Sequence, residues 1–430
     1  MGTELKLWPK PKSRDVALFT DLRLYTEALD LALKYGNVSA SILNQELGRR
    51  LQKARLVRRQ GKRTLKRLLR ELRRFEWLEP MLDKTTYALT DEGHYVLDLF
   101  KQDPRAFRRL LIVKMQQFYV IPGWFIERLW GINPKGQGEV IIPSPLPEWH
   151  PDSRQWKDNE WTSDLYEQTL EAATCAKKAS LDAFPIREID WIEEVKKAWN
   201  RLSNLNPRGS RKQERANYSP RRRLNWAMRE AAVSLLFDRI PYNCDAPDFP
   251  GERSPIYPRT YMNWCPRLES FELLFYTDWH PAVSGRLLFP VAVFRSSAPE
   301  GFELVVQGDI KNPQGNSLWL HQPKWEAIRT VFLETMIEVH QRFAVRRGTI
   351  YVSLLDVRDE MCRLLRISSR SFDCLLKQAL LELPARDFPW SLGVETDIRE
   401  EQRGGAKQYR QPVYIDKVPH TLIGLDRKST

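Results

Sequence analysis

Asp309 and Lys311 stand one residue apart at the end of the apolar run 302–307. A carboxylate in that place could hold a divalent metal that activates water, and the lysine could stabilise charge developing on a phosphate. The chemistry needs another acid about one strand earlier. Glu303 and Asp278 are the nearest candidates, with Glu269 and Glu272 further off, and none opens a strand as a Pro-Asp pair. Pro247-Asp248 lies too far back. Gly308 and the polar run 312–315 favour a turn at this point.

The D-x-K spacing resembles the core of restriction-type nucleases, which would imply metal-dependent cleavage using Asp309 and Lys311. That enzyme remains the first alternative, and the leaning is toward no catalytic role. No phosphate-cradling G-x-x-x-x-G-K-[ST], no G-x-G-x-x-G, no H-E-x-x-H and no G-x-S-x-G occurs. Six histidines are dispersed, and five cysteines form no C-x-x-C pair. No metal or cofactor is expected, and reduced thiols in a cytoplasmic setting are. The longest apolar run, 287–294, is broken by Pro290, so no membrane span or signal peptide is expected.

The strongest chemical signal is charge. Residues 49–74 hold thirteen cations against the single Glu71, a net +12, while the whole chain of 430 residues carries +13. Field concentrated in this way points to a polyanionic partner. Within it, Leu65, Leu68, Leu69, Leu72 and Phe75 repeat at i, i+3, i+4, i+7 and i+10. The spacing predicts an amphipathic helix, 62–74, anchored by its leucines and cationic elsewhere. Duplex DNA, with about one charge per 1.7 Å of axis, fits such a face.

The elements that would position this helix follow from local signals. Residues 25–34 read as a helix ending at Gly36, and Ser39 caps a second helix, 40–47, that Gly48 ends. After the basic helix come strand-like runs 77–82 and 85–89, joined by a turn at Asp83 and Lys84. Thr90 then caps a helix with Asp91 and Glu92 in its first turn. Helix, helix, long helix, hairpin, helix resembles the winged helix-turn-helix family. The ending Tyr87-Ala88-Leu89-Thr90-Asp91-Glu92-Gly93 looks like the Y-x-L-T-x-x-G that closes many bacterial members. The resemblance implies that helix 62–74 enters the major groove. It departs from the pattern in the basic insertion 49–61.

Residues 104–130 continue as apolar helix, and the Pro/Gly-rich passage 131–160 reads as a linker. A helical stretch, 160–202, carries Trp161, Trp191 and Trp199 as core residues. A second basic island, 204–223, has net charge +6 and no apolar period, and so reads as a loop that orders on a polyanion. A buried helix over 227–237 and a turn-rich stretch, 238–266, precede strands at 271–277, 286–294, 302–307 and 318–320, read as an antiparallel meander. A helix over 323–343 closes this region. The C-terminal stretch repeats the opening order: helix 356–365, a Ser368- or Ser369-capped helix, and strands 392–398 and 411–418 around a polar tip. It therefore also resembles a winged helix, with a nearly neutral outer face (Arg370, Ser371, Asp373, Lys377, Gln378, Glu382).

The expected fold class is thus α+β: an N-terminal winged-helix domain with helical extension (15–130), a linker (131–160), a central antiparallel sheet plus helix (161–345, with the basic loop 204–223), and a C-terminal winged-helix-like domain (346–430). The expected function is nucleic-acid binding, double-stranded DNA before RNA, within a larger prokaryotic nucleoprotein assembly such as phage defence, plasmid replication or transposition. Contacts are expected from Arg55, Arg58, Arg59, Lys62, Arg63, Lys66, Arg67, Arg70, Arg73 and Arg74. Arg208, Arg211, Lys212, Arg221, Arg222 and Arg223 of the island, and Arg370, Arg403 and Lys407 near the end, would add to them. The second alternative is an assembly scaffold whose basic helix grips an acidic protein.

Overall fold

The computed structural model describes residues 23–53, 62–83, 85–118, 121–151, 160–204, 219–237, 258–291, 301–306, 320–383, 389–396, 413–415 and 418–427. They form a mixed α+β chain of helices with small antiparallel sheets. Leu24, Tyr25, Ala28, Leu29, Leu31 and Ala32 give the first helix, α1 (Arg23–Tyr35), one fully buried face. Gly36 ends it at φ +67°, the left-handed conformation that favours glycine. After β1 (Asn37–Ser39), Ser39 Oγ accepts the Ile42 amide at 3.2 Å and caps α2 (Ala40–Lys53). The expected stop at Gly48 does not occur. A helical glycine costs only about 1 kcal/mol, and the next turn is held by Arg49 to Glu46 and by Arg50 to Glu27 and Asp30, each at 2.7 Å.

The basic helix α3 (Lys62–Arg74) has its predicted bounds. It leads into β2 (Leu78–Pro80) and β3 (Thr86–Leu89), whose turn is closed by the Asp83 carboxylate accepting the Thr85 and Thr86 amides at 2.9 Å. These hydrogen bonds to the ionised form hold Asp83 down at about 2. Thr90 Oγ1 accepts the Gly93 amide at 3.0 Å and donates to the Glu76 carbonyl at 2.6 Å, tying the cap of α4 (Asp91–Gln102) to the end of the basic helix. A Cβ on Gly93 would collide with the backbone oxygen of Trp77. The T-x-x-G spacing is therefore a packing requirement. The expected helix 104–130 is two helices, α5 (Pro104–Phe118) and α6 (Ile121–Ile132).

The passage expected as a linker contributes β4 (Val140–Pro143), buried along its whole length. Next come α7 (Ser163–Ala179), α8 (Glu188–Asn204), α9 (Pro220–Leu236) and α10 (Pro258–Ser270). Trp191 and Trp199 are core residues, as expected. Helix α10 corrects the turn-rich reading of 238–266 over 258–266, the earlier part lying outside the described residues: Pro258 occupies the first turn, where no amide is needed, and Pro266 is tolerated inside the helix. The chain continues through β5 (Leu274–His280), β6 (Gly285–Pro290), β7 (Phe302–Val306), β8 (Leu320–Pro323) and α11 (Trp325–Arg347). It ends with β9 (Tyr351–Ser353), α12 (Leu354–Leu365), α13 (Ser369–Glu382), β10 (Trp390–Glu395), β11 (Val413–Ile415), β12 (Val418–His420) and β13 (Leu422–Arg427).

The expected meander is split: β5 and β6 join β4 in a sheet of order β4–β6–β5, and β7 pairs separately with β8. The partner of β10 is β13, with Leu392 opposite Leu425 and Val394 opposite Ile423, rather than the expected 411–418. Apart from the β11–β12 pair inserted before β13, the two ends share one order: helix, strand, helix, helix, strand, strand, in sheets of order β1–β3–β2 and β10–β13–β9. They belong to different compact units, one drawn from 1–125, 240–271 and 305–318, the other from 126–239, 272–304 and 319–430. Among the described residues no helix is long and apolar enough to cross a membrane.

Two glycines give opposite predictions. Gly93→Ala should lower thermal stability by about 1–3 kcal/mol through overpacking against Trp77. Gly48→Ala, where a Cβ meets nothing within 4 Å, should raise it by about 0.5–1 kcal/mol. Thermal unfolding followed by circular dichroism reads both, and equal shifts would contradict the packing account.

Candidate nucleic-acid interface

Helix α3 is about 20 Å long at 1.5 Å per residue. Leu68, Leu69, Leu72 and Phe75 are buried, and Phe75 packs edge-on against Trp77 at 5.1 Å between ring centres. Opposite them Arg70 and Arg73 are exposed and Arg74 is half-buried. Lys62, Arg63, Lys66 and Arg67 lie on the first two turns of the same helix.

Glu71, the one acid of the basic segment, lies three residues from Leu68 and four from Phe75, on the buried stripe, and is 2% exposed. The Tyr25 hydroxyl donates to its Oε2 at 2.6 Å. From α10, the Arg267 guanidinium donates to Glu71 Oε1 at 2.5 Å and to the Tyr25 oxygen at 2.7 Å. Arg267 is itself 1% exposed and lies over the Trp264 ring at 4.9 Å. Breaking a buried pair by removing one partner costs about 3–5 kcal/mol, because the other charge is left in an apolar surrounding. Sequence reasoning missed this triad. Its only local signal was an acid at a stripe position.

The other expected contacts divide sharply. Arg55, Arg58, Arg59, Arg208, Arg211, Lys212, Arg403 and Lys407 lie outside the described residues, as do Asp309 and Lys311. The end of the basic island is not a loop: Arg221, Arg222 and Arg223 form the first turn of α9, with Ser219 as its cap. Arg221 donates to the carbonyls of Pro145, Leu146, Pro147 and Trp149 at 2.5–3.2 Å. Arg223 stacks over Trp199 at 5.0 Å and reaches Ser203 at 3.3 Å. These two arginines therefore hold the chain together, and Arg222 is the exposed one. Glu303 faces Lys324 at 3.9 Å. Among the described residues no group of three or more His, Cys, Asp or Glu is placed to hold a metal.

No family model, curated protein or solved structure matches this chain.

The C-terminal stretch uses its polar residues differently. Helix α12 is buried nearly all round, including Arg358, Asp359 and Glu360. Glu360 meets Arg342 at 3.1 Å and His280 at 3.4 Å, and Asp359 accepts from Thr277 at 3.3 Å. Glu139, beside β4, is held by Arg363 at 3.0 Å and Arg366 at 2.8 Å. Burial would raise the Glu139 carboxyl, but the two guanidiniums outweigh it and hold it below its usual value. On α13, residues expected on a free outer face are engaged within the unit. Arg370 lies 3.5 Å from Glu272, Asp373 lies 3.7 Å from Arg358, and Glu382 accepts the Trp325 indole at 2.7 Å. Ser371 is buried against the Ser368 cap, and Arg370, Lys377 and Gln378 are exposed.

Burial pushes the Asp373 carboxyl up to about 6; Arg358 opposes the shift, and Asp359 and Glu272 add to it. An acid raised in the fold favours its protonated form there. Its contribution is present below the unfolded value of about 4 and is lost as pH rises through about 6. Asp373→Asn should therefore be near neutral at pH 4.5 and stabilising at pH 7.5. Thermal unfolding at the two pH values checks this, and a difference that does not change with pH would contradict it.

Proposed function

We propose that the N-terminal topology, residues 23–102, is a winged-helix module that binds nucleic acid, duplex DNA foremost, with α3 as its contact helix. The observation that carries this reading is the division of α3: Leu68, Leu69, Leu72 and its only acid are buried, and Arg70 and Arg73 face solvent. Such a face meets phosphates and carries little base-edge chemistry, so binding is dominated by counterion release and weakly selective. The short β2–β3 hairpin, closed by Asp83, occupies the place of the wing. The C-terminal stretch, with the middle of α12 buried and Arg370, Asp373 and Glu382 of α13 beside partners in the same unit, fits a structural part better than a second reader of nucleic acid. A chain of this kind serves as the nucleic-acid-holding subunit of a larger assembly.

The test is fluorescence anisotropy with a labelled 30-base-pair duplex across a salt series. Arg70→Glu combined with Arg73→Glu should weaken binding at least tenfold at low salt. It should also make the slope of log K against log salt shallower by about 2, roughly one unit for each phosphate no longer neutralised. Unchanged affinity and slope would place the contact elsewhere, and failure of the wild-type chain to bind at low salt would favour an acidic protein as the partner of α3.

A further inference from the structure

The acid that the basic helix turns inward is paired with a residue 196 positions further along the chain. Among the described residues of the first unit, α10 enters from far downstream, and Arg267 reaches both Glu71 and Tyr25 through one nitrogen. With the buried stripe of Leu68, Leu69, Leu72 and Phe75, a side chain fixed at 2.5 Å from a buried partner pins the rotation of α3 about its own axis, because a turn of one residue, about 100°, would carry Glu71 out of reach. That rotation decides which cations face outward. Glu71 is buried while Arg70 and Arg73 are exposed, so the acid lies off the solvent-facing side of the helix.

We propose that Arg267 is a positioning residue for the nucleic-acid contact: α10 braces the basic helix from beneath, fixing its rotation and withdrawing its one acid from the face that meets phosphate. This rests on the reading of α3 as the contact helix. It adds to the nucleic-acid-binding unit a segment that lies outside the winged-helix topology itself. Tyr25 of α1 completes the brace by donating to the carboxylate oxygen that Arg267 leaves.

The experiment compares the full-length wild-type chain with Arg267→Met and Arg267→Lys. Binding to the labelled duplex is measured at 10 °C over a salt series, and circular dichroism fixes the folded fraction of each protein. Arg267→Met removes the guanidinium that holds Glu71 Oε1. The folded protein should then bind at least tenfold more weakly, with a slope shallower by about 2 because fewer phosphates are neutralised. Arg267→Lys keeps a charge opposite Glu71 but removes the guanidinium geometry, so it should fold and show a smaller weakening in the same direction. It carries the test alone if Arg267→Met does not fold. A merely structural role lowers the melting temperature and leaves the folded protein with wild-type affinity and slope, and that result would overturn the proposal. A wild-type chain that binds no duplex would overturn the underlying reading and this proposal with it. A wild type that binds, matched by both variants, would overturn this proposal alone.

Discussion

Under the basic helix lies a carboxylate and a guanidinium in contact, both withdrawn from water. Taking two such charges into an apolar interior carries a penalty of several kcal/mol per ion, offset only when geometry is good and further hydrogen bonds are made. Tyr25 supplies one of them, and the Trp264 ring beneath Arg267 supplies a cation–π contact at 4.9 Å. An apolar pair of similar volume would hold α3 at least as firmly. What the ion pair adds is direction: beside the buried Leu68, Leu69, Leu72 and Phe75, it gives α3 a directional polar contact on its inner side.

The second unit solves a different problem with the same residue types. Glu139, Glu272, Asp359 and Glu360 are each matched to arginine, threonine or histidine, and together they hold α12 and α13 against the strands and loops of their own unit. Arg286, 2% exposed, bridges Ser144, Asn225 and Asp278 in the same manner, and burial lowers it to about 10. Helix order and sheet order match those of the N-terminal stretch, yet the polar side chains face inward to partners. One topology thus appears twice, once with a cationic face exposed and once with its charges consumed by packing.

The limits of α3 and the caps of α2, α4 and α13 were legible in the sequence, because leucine spacing and a single Ser or Thr decide them locally. What was not legible depends on distance or on competition between weak local signals. Glu71 read as a lone anion because its partner stands 196 residues away. Gly48 read as a stop because sequence does not show the ion pairs that carry α2 past it. Pro258 and Pro266 hid α10, and the apolar run 422–425 took the pairing with β10 expected of 411–418. Arg221 and Arg223 read as cations for a polyanion, but backbone carbonyls and a tryptophan ring claim them. Basic charge in a sequence counts arginines without saying which of them already have an acceptor.

The account turns on α3 being the surface that meets nucleic acid. Photo-crosslinking of the full chain to a bromodeoxyuridine-substituted duplex, with the adducts mapped by mass spectrometry, tests this most directly. The account predicts adducts within residues 62–74 and in the hairpin that follows, abolished when unlabelled duplex competes. Adducts confined to residues 325–427, or none at any salt at which the chain stays folded, would contradict it.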